Sequence, residues 1–271
     1  MAAHKRAVLY TLLGYAVDKR HFSANPLASL SWKSPKTAEA IDRRRVVNPE
    51  QAQALLDAVH AQGPMGRHLT AFFGALYHAG LRPSEAVMLT EDELDLPDQD
   101  DAWGWLNLGD SAPSTGGAWN DSGNRREQRQ LKHRSVEEVR PVPASPALGR
   151  LLRDHIATHG TAPDGRLFRG EAGGLLSDSV YSRIWDKARQ AALTEAQAVS
   201  PLGERPYDLR HARLSTWLNA GVEPARVAEW AGNSVPVLLR VYAKCLSGTE
   251  QTALRKLQAA EPAPQVEPEH G

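Results

Sequence analysis

The chain predicts a mainly helical α+β fold, with helices around a small three-stranded antiparallel sheet. Apolar residues recur at helical spacing through most of the 271 residues, and one central stretch switches to short strand-like runs. A hydrophobic fraction of 41% is enough for a core, and 24% charged residues is ordinary for a soluble chain.

Taken in order, residues 7–17 form an apolar run after a basic start, a loose imitation of a secretory leader. Asp18, Lys19, Arg20 and His21 follow at once without a small-residue cleavage site, so the run reads as a helix buried on one side. Asn48 and Pro49 supply an N-cap and a first-turn proline, after which Ala52, Leu55, Leu56 and Val59 make one apolar stripe. Leu69, Phe72, Phe73 and Leu76 make a second stripe, stopped by Gly80. Pro83 opens a short helix through about Leu89. The acidic block 91–101, with Pro97, reads as a solvated turn without calcium-loop spacing. Residues 103–108, 127–133 and 139–142 read as the three strands. Helices resume over 146–158, 177–193, 207–220, 224–231, 235–242 and 250–259, and the Pro/Glu-rich tail 260–271 reads as disordered.

Composition narrows the function. Cys245 is the only cysteine, which excludes an internal disulfide and fits a reducing cytoplasm. There is no zinc-type cysteine spacing and no His-Glu-x-x-His helix, so the expectation is no metal and no cofactor. No run approaches the ~20 apolar residues of a membrane span. Lys+Arg and Asp+Glu both total 32, so net charge is zero. That argues mildly against nucleic acid, but the basic residues concentrate in 1–45 and 125–140, and local patches matter more than the sum.

Several residues stand out singly. On a helix, Tyr207, Arg210, Leu214, Trp217 and Leu218 share one face. A guanidinium in line with a core stripe needs an anion, either an internal carboxylate or a bound phosphate. Arg82 lies in Gly80-Leu-Arg-Pro-Ser-Glu85, at a junction between two helices, where a surface role is the plain alternative. Tyr242 falls in a stripe with Val235, Leu238 and Leu239, as a packed core tyrosine would. Lys132 lies at a strand end, where lysines are usually solvated.

Their order is more telling. Gly-Leu-Arg-Pro-Ser-Glu, a strand-borne lysine, Asp-Leu-Arg-His, Ala-Gly-Asn-Ser, and a tyrosine nine residues after Asn233 resemble the catalytic domain of the tyrosine recombinases, the phage-integrase family. The likeness runs from about Arg45 to Leu257 and is closest, over 227–245, to integrases of the actinobacterial type. It implies a helical remnant plus linker over 1–45, a catalytic domain over 46–259 and a disordered tail over 260–271. Only a stub then stands where the family carries its core-binding domain, as in an N-terminally truncated integrase.

The resemblance also implies roles. Arg82 and Arg210 would clamp the scissile phosphate, whose transition state gathers negative charge. Tyr242 would attack phosphorus and hold a 3′-phosphotyrosine, which conserves the bond for religation without ATP or metal. Lys132, in Leu131-Lys-His-Arg134, would protonate the leaving 5′-oxygen, and Glu85 would support Arg82. Tyr207 and Asn233 stand where the family usually has His and His or Trp. Both can donate hydrogen bonds to phosphate, but tyrosine is a poor base near neutral pH and asparagine carries no charge. The implied partners are double-stranded DNA, further copies of the chain in a tetramer on DNA, and an excision factor, with no membrane. The expected function is site-specific DNA recombination. A catalytically inactive remnant that binds DNA weakly or not at all, and a type IB topoisomerase-like relaxase, are the alternatives.

Overall fold

The computed structural model describes residues 2–33, 40–111, 129–130 and 139–242, with 245, 254 and 257–258. The chain divides into two compact units, Met1–Glu39 and Ala40–Gly271.

The first unit is one helix, α1 (Ala2–Asp18), and an irregular segment. Asn25 Nδ2 donates to Tyr10 O at 2.9 Å, and the Arg6 guanidinium lies over the Trp32 ring at 5.1 Å. The helix is as expected, its one-sided burial is not. Val8, Leu12 and Tyr15 are exposed, because a single helix and a short loop cannot cover an apolar face.

In the second unit α2 (Pro49–His60) begins at Asn48, whose side chain accepts from Gln51 N while the Gln51 side chain accepts from Asn48 N. This reciprocal box satisfies two otherwise orphaned donors. Helix α3 (Gly63–His78) is the centre. Its stripe Leu69, Phe72, Phe73 and Leu76 is fully buried against α2, α5 (Pro146–His159) and α8 (Tyr207–Asn219). The Phe73 and Trp185 rings stack at 5.1 Å, which joins α3 to α6 (Asp178–Ala192). Each such large apolar side chain stabilises the fold by roughly 1.5–3 kcal/mol.

The sheet is three-stranded and antiparallel, as expected, but one strand is not the expected one. Its order is β1 (Leu94–Asp95), β2 (Gly104–Leu108), β5 (Arg140–Ala144). The acidic block therefore opens with a structured edge rather than a solvated turn. Glu93 accepts hydrogen bonds from Thr90 N and Gly109 N, which holds Leu94 opposite Leu106. Of the run 127–133, only β4 (Arg129–Gln130) is described, paired with β3 (Asp110–Ser111) in a separate ladder. Lys132 lies outside the described residues, as do most of the expected helix 250–259 and the tail 260–271.

Pairing places Pro141 opposite Asn107 and Pro143 opposite Trp105 on β5, the edge strand of the sheet, where a missing N–H is tolerated. Arg140, Val142 and Ala144 consequently turn inward, and Arg140 is 1% exposed. Helices α4 (Pro83–Ala86), α7 (Glu195–Ala198), α9 (Pro224–Ala231) and α10 (Val235–Tyr242) complete the unit. Three of these were expected from the sequence; α7 was not.

Candidate active site

The site forms where α3 ends. Gly80 takes φ +63°, a conformation that disfavours side chains, and a Cβ there would also press on the Leu214 side chain. The turn sets Arg82 in extended backbone at the N-cap of α4, with Pro83 in the first turn. Glu85 folds back beneath it. Its Oε2 accepts from Arg82 N at 2.8 Å and its Oε1 from Arg82 Nη1 at 2.6 Å.

Glu85 is also the hub for two further arginines. Arg140 Nη2 approaches Oε2 at 2.8 Å, and Arg210 Nη1 lies 3.9 Å from the same oxygen. Burial pushes the Glu85 carboxyl up, but Arg140, Arg82 and Arg210 together overcome it and hold the pKa at about 2. Three guanidiniums thus surround one carboxylate, leaving an excess positive charge inside the protein. Unpaired buried charge is costly, so such an arrangement is suited to an incoming anion.

Backbone carbonyls share in holding the cations. Arg210 donates to Gly80 O and Ala231 O, both at 2.5 Å. Arg82 Nη2 donates to Gly232 O at 2.8 Å and to Asn233 Oδ1 at 2.9 Å. Gly80 O lies just past the end of α3, and the Ala231 and Gly232 carbonyls form the C-terminal end of α9, where the helix dipole favours cations. Gly232 ends that helix at φ +59°, and any Cβ on it would overlap the Arg140 guanidinium and crowd Arg82. The Ala-Gly-Asn segment is therefore a backbone wall against which the arginines lie. Burial pushes the Arg210 pKa down, with the Arg82 charge adding to it, yet guanidinium remains charged. Its Nε is buried with no hydrogen-bond partner among the described residues. The Arg82 side chain is 28% exposed, the most open of the three.

Tyr242, the last residue of α10, is 2% exposed. Its hydroxyl lies 2.8 Å from His211 Nδ1, and the two rings meet at 61°. Burial raises the Tyr242 pKa well above that of a free phenol, while Arg210 and Arg82 pull it down. Burial first, and the Arg210 charge next, lower His211 to about 4, so its imidazole is neutral near pH 7. Tyr207 interacts with the Arg82 guanidinium and sets its ring edge-on to His211 at 4.9 Å.

The structure thus brings Arg82, Glu85, Tyr207, Arg210, Asn233 and Tyr242 into one connected site. Lys132 lies outside the described residues. Sequence reasoning missed two members. Arg140 carried a signal, since on a strand it shares the inward face with Val142. His211 stands four residues after Tyr207, on the same helix face.

A family model for the phage integrase family matches residues 45–246, three quarters of the chain. The chain belongs to the phage integrase family. It is 26% identical over 233 residues to a tyrosine recombinase XerC of Pelotomaculum thermopropionicum, covering 85% of this chain and 66% of that protein. The chain thus spans slightly less than two thirds of that relative's length. Among solved structures, the Tn1549 transposon integrase in complex with circular intermediate DNA superposes with a TM-score of 0.61 at 16% identity, covering 94% of this chain and 77% of that one. XerH recombinase bound to a difH substrate gives 0.57 at 14% identity, covering 95% of this chain and 64% of that one. At these identities the superpositions speak for the fold. Among the described residues, no helix of this integrase-family chain is long and apolar enough to cross a membrane.

Proposed function

We propose that this chain carries out site-specific DNA recombination through a covalent 3′-phosphotyrosine on Tyr242. The observation that carries the reading is the meeting of an excess of guanidinium charge with a phenol already hydrogen-bonded to a neutral imidazole. A phosphodiester of double-stranded DNA docks against Arg82 and Arg210, and the charge that grows on its non-bridging oxygens meets cations already in place. Tyr242 Oη attacks phosphorus, the Oη–P bond forms and the P–O5′ bond breaks. The phenolic proton passes to His211 Nδ1, and the 5′-oxygen takes a proton from Lys132. The reverse sequence religates the strand.

His211 is neutral partly because Arg210 repels its protonated form. A phosphate beside Arg210 offsets that repulsion and makes the imidazole a better acceptor as the substrate arrives. Tyr207 and Asn233 hold Arg82 and donate hydrogen bonds rather than carry protons. Residues 46–259 form the catalytic domain on this reading. A tetramer assembles on DNA, and an excision factor sets the direction. The segment 227–245 supports placement among integrases of the actinobacterial type.

One observation favours a second reading, a DNA-binding chain without cleavage: Tyr242 is almost fully buried. A suicide substrate nicked beside the cleavage site separates the two. Cleavage yields a covalent adduct on a denaturing gel with the natural chain and none with Tyr242→Phe, whereas retarded DNA with no adduct from either chain supports the second reading.

A further inference from the structure

We propose that His68, His155 and His159 form a binding site for a zinc-class divalent metal ion that clips α3 to α5, independent of the recombination chemistry. Among the described residues these are the cluster whose ligand atoms converge, with one nitrogen from each ring lying within 4.8 Å of the others. His155 and His159 are spaced i, i+4 on α5, the spacing that puts two imidazoles on one helix face, and His68 faces them from α3.

The ring geometry is that of a tripod. Centroid separations are 4.9 Å for His68–His155, 5.0 Å for His68–His159 and 5.0 Å for His155–His159. Three imidazoles on a tetrahedral zinc, with Zn–N bonds of about 2.0–2.1 Å, would have centroids about 5.2 Å apart. The rings therefore stand at the required separation, and small rotations bring the nitrogens to the roughly 3.3 Å spacing of bound ligands.

An orphaned atom points the same way. His155 is 4% exposed. Its Nε2 lies 2.9 Å from Leu167 O and donates to it, which leaves Nδ1 as a bare lone pair, buried with no partner among the described residues. A metal-bound histidine uses its second nitrogen in this way, donating to a carbonyl that fixes tautomer and orientation. Burial also keeps His68 and His155 neutral, as ligands must be. His68 gives up one bond on loading, since its Nε2 accepts from Arg169 N at 3.1 Å. The fourth position opens on a cleft lined by Arg67, Thr158, Arg169 and Glu171, and water takes it. The two arginines there oppose a cation and weaken its binding.

The rival account is a cluster of core histidines that secures 167–169 through hydrogen bonds alone. The test uses the full chain after chelator treatment. Titration with Co2+ is expected to give the visible absorption of tetrahedral cobalt, saturating at about one ion per chain and displaced by Zn2+, with a zinc-dependent rise in Tm. His159→Gln, at a partly exposed position, should weaken cobalt binding about tenfold or more while leaving circular dichroism unchanged. His68→Asn provides a second ligand deletion. Wild-type chain without the absorption at millimolar Co2+, or variants that take up cobalt as the wild type does, would overturn the site.

Discussion

The arginine side of the site and the tyrosine side are built differently. Arg82 and Arg210 are fixed from several directions at once, by Glu85 and by carbonyls from the end of α3 and the end of α9, and Arg140 pairs with the same carboxylate. Among the described residues, Tyr242 is held by packing and by a side-chain hydrogen bond to His211. A clamp that must meet charge in a transition state benefits from being in place beforehand, because no reorganisation is then needed during the reaction. On the proposed reading Tyr242 is the nucleophile, which must form and release a bond. The wall and the hub supply rigidity, and the short helix α10 supplies reach.

The comparison breaks most severely at Arg210. Arg210→Ala removes a buried cation, and cleavage of a suicide substrate should slow by about 10³-fold, the scale of losing a preorganised charge stabiliser. An effect under tenfold would place the phosphate elsewhere. Glu85→Gln strikes the hub. It leaves three guanidiniums without their carboxylate, and urea denaturation should show a loss of roughly 3–5 kcal/mol. The pH dependence has a definite sign. With a folded pKa of about 2 against an ordinary 4.5, the unfolded chain binds more protons between those values. The Glu85 contribution is therefore complete above about pH 4.5 and disappears as pH falls toward 2. The Gln variant should lack that segment of the wild-type acid profile.

His211→Asn probes the tyrosine side. The rate of cleavage should fall about 10²-fold, as for loss of a positioned proton acceptor, with DNA affinity unchanged. Its pH signature sits higher. A folded pKa of about 4 against 6.5 means the unfolded chain takes up the proton first, so stability is full above pH 6.5 and declines toward pH 4. Wild type minus variant should show that decline. The smallest effect is at the wall. Gly232→Ala adds left-handed strain of roughly 1–2 kcal/mol and pushes on Arg140 and Arg82, so Tm should drop modestly while cleavage drops more.

Much of this arrangement could be read from residues alone. The Asn48 cap, the α3 stripe and the stop at Gly80 are local signals, and each corresponds to an observed feature. Arg82, Arg210 and Tyr242 emerged from motif order. The hub did not, because Glu85 meets Arg140 across fifty-five residues, a pairing that no local spacing encodes. The strand at Leu94 was hidden for a related reason. Two residues inside an acidic block carry no alternation, and the strand exists only because Glu93 caps two backbone donors and β2 lies alongside. The His68 cluster was invisible too, since its third member comes from another helix.

The central claim is that the phenol of Tyr242 takes the phosphate. The most direct measurement is to trap the adduct on a suicide substrate, trim the DNA with nuclease, and locate the nucleotide-bearing residue by peptide mass spectrometry. The account predicts a single modified peptide with the nucleotide on Tyr242. A nucleotide on any other side chain, or an adduct that persists in Tyr242→Phe, would contradict it.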